Sequence, residues 1–207
     1  MRFRLYLCMC AYIIQEFANM QDFRGQMILK AIQLLPTHGY AGITLMHVAR
    51  ACNAPRGSLY HYFPGGKDDL MAAVLEAAKE YSLGTFITSC SRAPELQAYI
   101  ADMGKALSAA LSKSGFELGC PVAAIAMSTE KTHVLNQRCK AIYADWRVAL
   151  QARLQAYGLP SREAAVMGLN ILNTFQGALL HARMAGSCEP IDQAALLLQR
   201  DIRQRSH

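Results

Sequence analysis

Apolar residues recur at helical spacing along most of the chain. The clearest stripe consists of Leu96, Ile100, Met103, Leu107 and Leu111, whose steps of three and four residues place them on one helix face. The sequence has no run of alternating β-branched residues and no Asn-Gly turn, which are the usual signals of strands and hairpins. The pattern therefore predicts an all-α protein with about nine helices.

Proline and glycine divide this pattern into segments. Pro36 and Gly39 are expected to end the first helix, and Gly158 and Pro160 the seventh. The predicted helices cover residues 22–35, 44–53, 55–63 and 67–88, a fifth from Pro94, a short sixth from Pro121, and then 133–157, 161–185 and 191–203.

The second and third predicted helices are short and are joined by a tight turn. Thr44 is a good N-cap for the second helix, and Asn53 tolerates the left-handed conformation that closes it. Pro55 suits the first position of the third helix, where its missing N–H costs nothing. Two such helices behind a longer first one are the arrangement of a helix-turn-helix, here over residues 45–64.

The third helix carries more polar and aromatic side chains than its own stability requires. Leu59 and Phe63 lie one turn apart and are expected to face inward. The residues left to face outward or to lie at the rim are Arg56, Gly57, Ser58, Tyr60, His61 and Tyr62. Such a surface is useful if the helix enters a groove of DNA.

Positive charge is concentrated in the same part of the chain. Between Phe23 and Lys67 there is no acidic residue, whereas in the rest of the chain the basic and acidic residues nearly cancel. The net charge of the whole chain is +6. The basic residues of this acid-free block are Arg24, Lys30, Arg50, Arg56 and Lys67. The block indicates a phosphate-binding face, although a run of charge also occurs on faces that are only solvated.

Lys67 stands at the start of the fourth predicted helix, where a cation opposes the helix dipole by roughly 0.3–1 kcal/mol. A bound phosphate would reverse the sign, because backbone N–H groups and the lysine would then face the same anion. The alternative is a solvated lysine, but the acid-free block favours the phosphate interpretation.

The stretch "ITLMHVARACNAPRGSLYHYFPGGKDDL", residues 43–70, resembles the DNA-binding segment of the TetR family of transcriptional regulators. Within it, "PRGSLYHYFPGGK" is typical of the LmrA/YxaF-type branch, and the later "GCPVAAIAMS" is similar to the regulatory domain of that branch. Asn53 departs from the glycine that is usual there, but both residues can adopt the left-handed conformation.

The resemblance implies roles for individual residues. Thr44, Tyr60, Tyr62 and Lys67 match positions that contact phosphates, with His61 beside them in the expected DNA-binding set. Arg56, Gly57 and Ser58 match the positions that read base edges in the major groove. Arg56 is the strongest candidate for direct readout, since arginine can bind guanine bidentately.

Three regions are expected along the chain. Residues 1–21 form an N-terminal extension, in which "MRFRLYLCMCAYIIQEFA" resembles a weak signal peptide but is too short to span a bilayer. We favour an extra leading segment, with Met9 or Met20 as the true start. Residues 22–88 form the DNA-binding domain, and residues 89–207 the ligand-binding and dimerisation domain.

The eighth predicted helix has almost no charge from residue 164 to residue 180, which indicates burial on most sides. The resemblance implies a homodimer formed through the last two helices, about residues 161–203. A polar stripe on this helix consists of Asn170, Asn173, Thr174, Gly177 and His181. It is interpreted either as part of that interface, which we favour, or as the wall of a ligand cavity.

The resemblance also implies a pocket for a small effector in the second domain. The candidate lining residues are Met103, Leu107, Phe116, Tyr143, Trp146 and Phe175, although for each of them taken singly ordinary core is the favoured interpretation. Their character suits an apolar effector. Together these features predict a cytoplasmic repressor that a small molecule releases from a palindromic operator.

Two other classes of function remain open from the sequence. An enzyme could use Cys120 or His133, but the chain has no nucleophile elbow and no zinc-ligand spacing. A redox-sensing regulator could use Cys120, Cys139 or Cys188. The seven cysteines include no Cys-x-x-Cys pair, so no metal, cofactor or disulfide framework is expected.

Overall fold

The computed structural model describes residues 23–88 and 93–205. Within these ranges the chain forms nine α-helices and one π-helical segment, with no strand. The helices are α1 (Phe23–Gly42), α2 (Leu45–Ala51), α3 (Arg56–Tyr62), α4 (Lys67–Tyr81), the π-helix Ser82–Thr88, α5 (Leu96–Lys113), α6 (Pro121–Ser128), α7 (Val134–Ala156), α8 (Ser161–Ala185) and α9 (Glu189–Arg205). The all-α prediction is confirmed. The expected extension, residues 1–21, lies outside the described residues.

The described residues divide into two compact units that alternate along the chain. The first unit contains residues 23–80 and 117–143, and the second contains residues 81–116 and 144–205. Helices α1 to α4 therefore share a unit with α6 and with the first turns of α7, and α6 packs against α1.

The core of the first unit lies under α1. Met27, Ala31 and Leu35 are almost completely buried, as their spacing predicts. Phe63 at the end of α3 is 1% exposed and Leu70 of α4 is fully buried. Phe63 and Leu70 thus anchor the C-terminal end of the helix-turn-helix in this core.

Helix α1 continues beyond Leu35, so the predicted end at Pro36 is wrong, whereas Gly39 breaks the helix as expected. Pro36 lies inside the helix, which is interrupted only at Gly39 (φ 60°, ψ 175°). The hydroxyl of Thr37 donates to the carbonyl oxygen of Leu34 at 3.2 Å, and the His38 ring lies at the same distance from that oxygen. These contacts give the Leu34 carbonyl side-chain partners in the turn just before Gly39.

The fourth helix also differs from its predicted form. Regular α-helix ends at Tyr81, and Ser82–Thr88 is π-helical rather than a continuation of the α-helix. The predicted start of α6 at Pro121 is confirmed, with Cys120 as its N-cap.

The second unit is built around α5, α8 and α9. Gly104 of α5 allows a close approach, because a Cβ there would lie 2.9 Å from the Cβ of Ala195 in α9. Ile100 and Ile171 are completely buried in the same unit. No helix within the described residues is long and apolar enough to cross a membrane.

Candidate nucleic-acid interface

The start of α2 and the turn between α2 and α3 have the local geometry that the sequence predicts. Thr44 is extended (φ −120°, ψ 153°), and its hydroxyl oxygen accepts the N–H of His47 at 3.2 Å. This hydrogen bond satisfies one of the unpaired donors in the first turn of α2. Asn53 is left-handed, with φ 52°. The chain therefore leaves α2 sharply and enters α3.

Helix α3 presents aromatic and polar side chains to solvent. Tyr60 is 67% exposed and His61 is also exposed, while Tyr62 is half-buried. The rings of His61 and Tyr62 meet edge to face, with centroids 5.2 Å apart. Because Phe63 anchors the helix from inside, these rings lie on a surface that the fold holds in place.

Ser58 lies in the first turn of α3 and is half-buried. Its hydroxyl donates to the carbonyl oxygen of Pro55 at 2.6 Å. The oxygen keeps lone pairs that can accept a hydrogen bond from a base. The side chains of Arg56 and Leu59, and the surroundings of Gly57, lie outside the described part of the structure, so their roles stay predictions.

Two other basic residues of the acid-free block are exposed. They are Arg24 in α1 and Arg50 near the end of α2. The guanidinium of Arg24 lies 5.7 Å from the centroid of the Phe63 ring. This contact joins the basic block to the anchor of α3.

Lys67 is held by Tyr40, a contact that the sequence did not reveal. Its ammonium donates to the carbonyl oxygen of Tyr40 at 3.2 Å and lies 4.0 Å from the centroid of that ring. The Tyr40 hydroxyl donates to Asp68 Oδ1 at 2.5 Å, and His133 Nε2 lies 3.4 Å from Asp68 Oδ2. No sequence signal marks these partners, because they come from three distant segments.

The surroundings of Tyr40 keep its hydroxyl protonated. Burial, the hydrogen bond to Asp68 and the charge of that carboxylate raise the pKa of Tyr40 from 10.0 to about 12. The phenol therefore remains a donor to Asp68 at neutral pH.

The six candidate effector-binding residues are distributed over both units. Met103, Trp146 and Phe175 are buried in the second unit, where Leu107 and Phe116 are half-buried. Tyr143 belongs to the first unit. A cleft of about 450 Å³ in the second unit is lined by other residues, namely residues 94–97, residues 157–160, Glu163, Met167 and Ile202.

Helices α8 and α9 expose large apolar side chains. These form what we call the α8–α9 face: Val166, Leu169, Leu180, Met184, Leu196 and Leu197. Asn170, Asn173, Gly177 and His181 of the polar stripe are also exposed, and Thr174 is half-buried. No described atom comes within 4 Å of a Cβ built at Gly177. The stripe thus lies on the outside of this chain rather than around a closed cavity.

Cys139, Cys188 and His133 each contact neighbouring groups of the fold. Cys139 is buried, which raises its pKa from 9.0 to about 11, with a smaller effect from Cys120. The thiol of Cys188 lies 3.4 Å from the carbonyl oxygen of Ser108, and His133 is engaged by Asp68. Among the described residues, no group of three His, Cys, Asp or Glu side chains could hold a metal ion.

Two family models match this chain. Residues 28–74 match the model described as bacterial regulatory proteins, tetR family. Residues 96–196 match the model described as transcriptional regulator LmrA/YxaF-like, C-terminal domain. The first match contains the helix-turn-helix, and the second contains α5 to α8 and part of α9.

Curated relatives match most of the chain. An uncharacterized HTH-type transcriptional regulator of Mycobacterium tuberculosis (strain H37Rv) is 28% identical over 197 residues, covering 90% of this chain and all of the relative. The HTH-type transcriptional regulator LmrA of Bacillus subtilis is 27% identical over 175 residues, covering 82% of this chain and 91% of its own.

Solved structures share the fold. The regulatory protein TetR from Rhodobacter sphaeroides has a TM-score of 0.74 at 20% identity, covering 84% of this chain and 96% of its own. The TetR transcriptional regulator from Legionella pneumophila has a TM-score of 0.76 at 18% identity, covering 88% of this chain and 98% of its own. A cysteine mutant of the TetR family regulator CifR, complexed with a 26 bp double-strand operator DNA, has a TM-score of 0.73 at 17% identity. The match covers 84% of this chain and 94% of the CifR chain.

Proposed function

Because the chain belongs to the TetR family and carries an LmrA/YxaF-like C-terminal domain, we propose that it represses transcription by binding a palindromic operator, from which a small apolar effector releases it. DNA binding and transcription regulation are properties of the family, whereas repression and release are the proposal. The observation that carries it is the exposed surface of α3 beside the acid-free basic block. Its place of action is the cytoplasm, where the operator is accessible.

Each residue of the interface has a proposed role. Arg56 reads a guanine in the major groove, and Gly57 lets the backbone of α3 approach the bases closely. Ser58 adds a contact to a base edge. The phosphate contacts come from Thr44, Tyr60, His61, Tyr62 and Lys67.

The test of DNA binding is a titration of labelled operator, selected from a random pool, at several salt concentrations. Log affinity of the wild type should fall linearly with log salt, because phosphate contacts release counterions. Lys67→Ala should weaken binding to all sequences alike and reduce the salt slope by about 1, whereas Arg56→Ala should cost about 1–3 kcal/mol and relax one base position.

A matched control is Lys105→Ala. It removes an exposed lysine of α5, whose ammonium lies 3.4 Å from Asp102. This variant should bind as the wild type does. Wild-type affinity that does not change with salt would contradict the proposal.

The second part of the proposal is a homodimer formed through the α8–α9 face. Exposed leucine, valine and methionine side chains on neighbouring helices are costly to leave in water. Gly177 lies between them along α8 and leaves room for a second helix. Two-fold symmetry would present two copies of α3 to successive major grooves, about 34–36 Å apart.

The third part is control by an effector near Trp146. Trp146, Met103 and Phe175 are buried apolar side chains of the second unit, and Trp146 is the only tryptophan in the chain. A bound apolar compound should quench or shift its fluorescence, and it should weaken operator binding. Operator should weaken binding of the compound by the same factor. Compounds that bind tightly but leave DNA affinity unchanged would refute this mode of release.

We assign no catalytic role to Cys120 or His133. The relatives are transcriptional regulators, and His133 contacts Asp68. Nothing in the observed geometry of Cys139 supports redox sensing, because burial favours its neutral thiol.

A further inference from the structure

Four side chains from three distant segments meet in the first unit. We call them the Tyr40 cluster: Tyr40 near the end of α1, Lys67 and Asp68 in the first turn of α4, and His133 immediately before α7. The cluster connects the start of α7 with the lysine to which phosphate binding is attributed. It therefore places a residue far along the sequence in contact with the DNA-binding segment.

Asp68 is the centre of the cluster, because each of its carboxylate oxygens faces a different donor. Oδ1 accepts the hydroxyl of Tyr40 at 2.5 Å, and Oδ2 lies 3.4 Å from Nε2 of His133. The two contacts hold the carboxylate from both sides. Loss of either donor would leave one oxygen to water and permit the carboxylate to rotate.

The orientation of His133 is fixed by a hydrogen bond from the backbone. Its Nδ1 accepts the backbone N–H of Leu135 at 3.2 Å. In the neutral ring the proton then sits on Nε2, which faces Asp68. The Nε2 proton of His133 therefore lies on the side of Asp68, at the 3.4 Å contact.

Tyr40 transmits this arrangement to Lys67 through two groups. Its carbonyl oxygen accepts one N–H of the ammonium at 3.2 Å, and its ring lies 4.0 Å below the charge. An ammonium has three N–H donors, so two remain for an anion. A lysine that is already ordered loses less conformational entropy when it binds a phosphate.

We propose that His133 is a positioning residue for Lys67, acting through Asp68 and Tyr40 to hold the ammonium where a DNA phosphate meets it. The inference rests on the proposed function, in which Lys67 contacts DNA. It adds a route of control, since α7 begins one residue after His133. A displacement of the first turn of α7 would withdraw the donor from Asp68 and loosen Lys67.

The experiment compares His133→Ala with His133→Gln, whose side-chain amide can offer an N–H near the position of Nε2. Both are made in the wild-type and the Lys67→Ala backgrounds. The probe is a labelled duplex of about 30 base pairs and arbitrary sequence, long enough for two half-sites one helical turn apart. At low salt, phosphate contacts dominate binding to such a probe.

His133→Ala should lower affinity about three- to tenfold, the cost of ordering one long side chain on binding. Its salt slope should shift towards that of Lys67→Ala, and His133→Gln should retain most of the wild-type affinity. In the Lys67→Ala background, His133→Ala should have no further effect. A merely structural role would give the same loss in both backgrounds and would overturn the inference.

A second variant covers the case in which His133→Ala fails to fold, as judged by thermal unfolding. Tyr40→Phe removes only the hydroxyl that donates to Asp68 and keeps the ring and the carbonyl beside Lys67. It should also lower affinity and reduce the salt slope, and wild-type behaviour would overturn the inference. If Lys67→Ala itself binds as the wild type does, the assigned phosphate contact of the proposed function fails instead.

Discussion

At the scale of single residues, Cys139 is set apart from a reactive thiol by its surroundings. It is 1% exposed in α7, and burial raises its pKa to about 11. Since the thiolate is the nucleophile, native Cys139 should resist alkylation by iodoacetamide at about pH 8. Mass spectrometry of the labelled peptides measures the reaction, and the same protein unfolded in guanidinium is the control. Rapid labelling of native Cys139 would contradict the structure and revive the redox hypothesis.

The same pKa shift has a consequence for stability. The folded pKa of Cys139 is raised above the ordinary value of 9.0, so the folded state holds the proton more tightly. The free energy of unfolding should therefore keep this contribution below about pH 9 and lose it as the pH rises towards about 11. The serine hydroxyl of Cys139→Ser does not titrate between pH 9 and about 11. In denaturation experiments this variant should therefore lose less of its free energy of unfolding over that range than the wild type does.

Residue by residue, the sequence predicted the site only in part. Lys67 was expected to bind phosphate or to be solvated, and the structure shows that it is held by Tyr40. The interaction could not be predicted, because the two residues are 27 positions apart and meet only through tertiary packing. The Thr44 cap is confirmed, and it was predictable because it depends only on residues three positions apart.

At the scale of elements, the turn between α2 and α3 depends on Asn53. Its left-handed backbone (φ 52°) costs a residue with a Cβ roughly 1–2 kcal/mol, which asparagine partly offsets by local hydrogen bonding. Asn53→Ala should therefore lower the free energy of unfolding by about 1 kcal/mol. Asn53→Gly, which matches the family pattern, should be neutral or slightly stabilising.

Chemical denaturation of the two variants checks this expectation. The comparison controls for loss of the side chain, because both substitutions remove the amide and only one retains a Cβ. Equal destabilisation by alanine and glycine would show that the amide, not the backbone conformation, determines stability at this turn.

Helix boundaries were predictable where local residues determine them. The start of α6 at Pro121 and the left-handed turn at Asn53 follow from proline and asparagine alone. The end of α1 was predicted only in part, since the chain continues through Pro36 and breaks at Gly39. The π-helical form of Ser82–Thr88 was also missed, since apolar periodicity does not reveal which carbonyl each N–H selects.

At the scale of the whole molecule, the division into units could not be derived from periodicity. Helix α6 and the first turns of α7 form one compact unit with α1 to α4, and the expected domain boundary at residue 88 stays a prediction. Such packing joins segments that are far apart along the chain, and neither spacing nor charge marks it. The contact of His133 with Asp68, which completes the Tyr40 cluster, is one example of this packing.

The proposed homodimer gives the last prediction. Sedimentation of the wild type should give a mass near twice 22.8 kDa. Gly177→Arg should give a folded monomer, because no described atom lies within 4 Å of a Cβ there, while the arginine charge would lose its water in the proposed interface. Ala152→Arg, at an exposed position of α7, is the control and should remain dimeric.

The monomer should also lose operator affinity, by about tenfold or more, because each chain then holds only one half-site. Its helical content, measured by circular dichroism, should match that of the wild type, which separates lost assembly from lost folding. A wild-type protein that stays monomeric at micromolar concentration would refute the interface, and so would a dimeric Gly177→Arg variant. Operator binding by a stable monomer would leave the exposed surface of α8 and α9 without the role proposed for it, since one copy of α3 would then suffice.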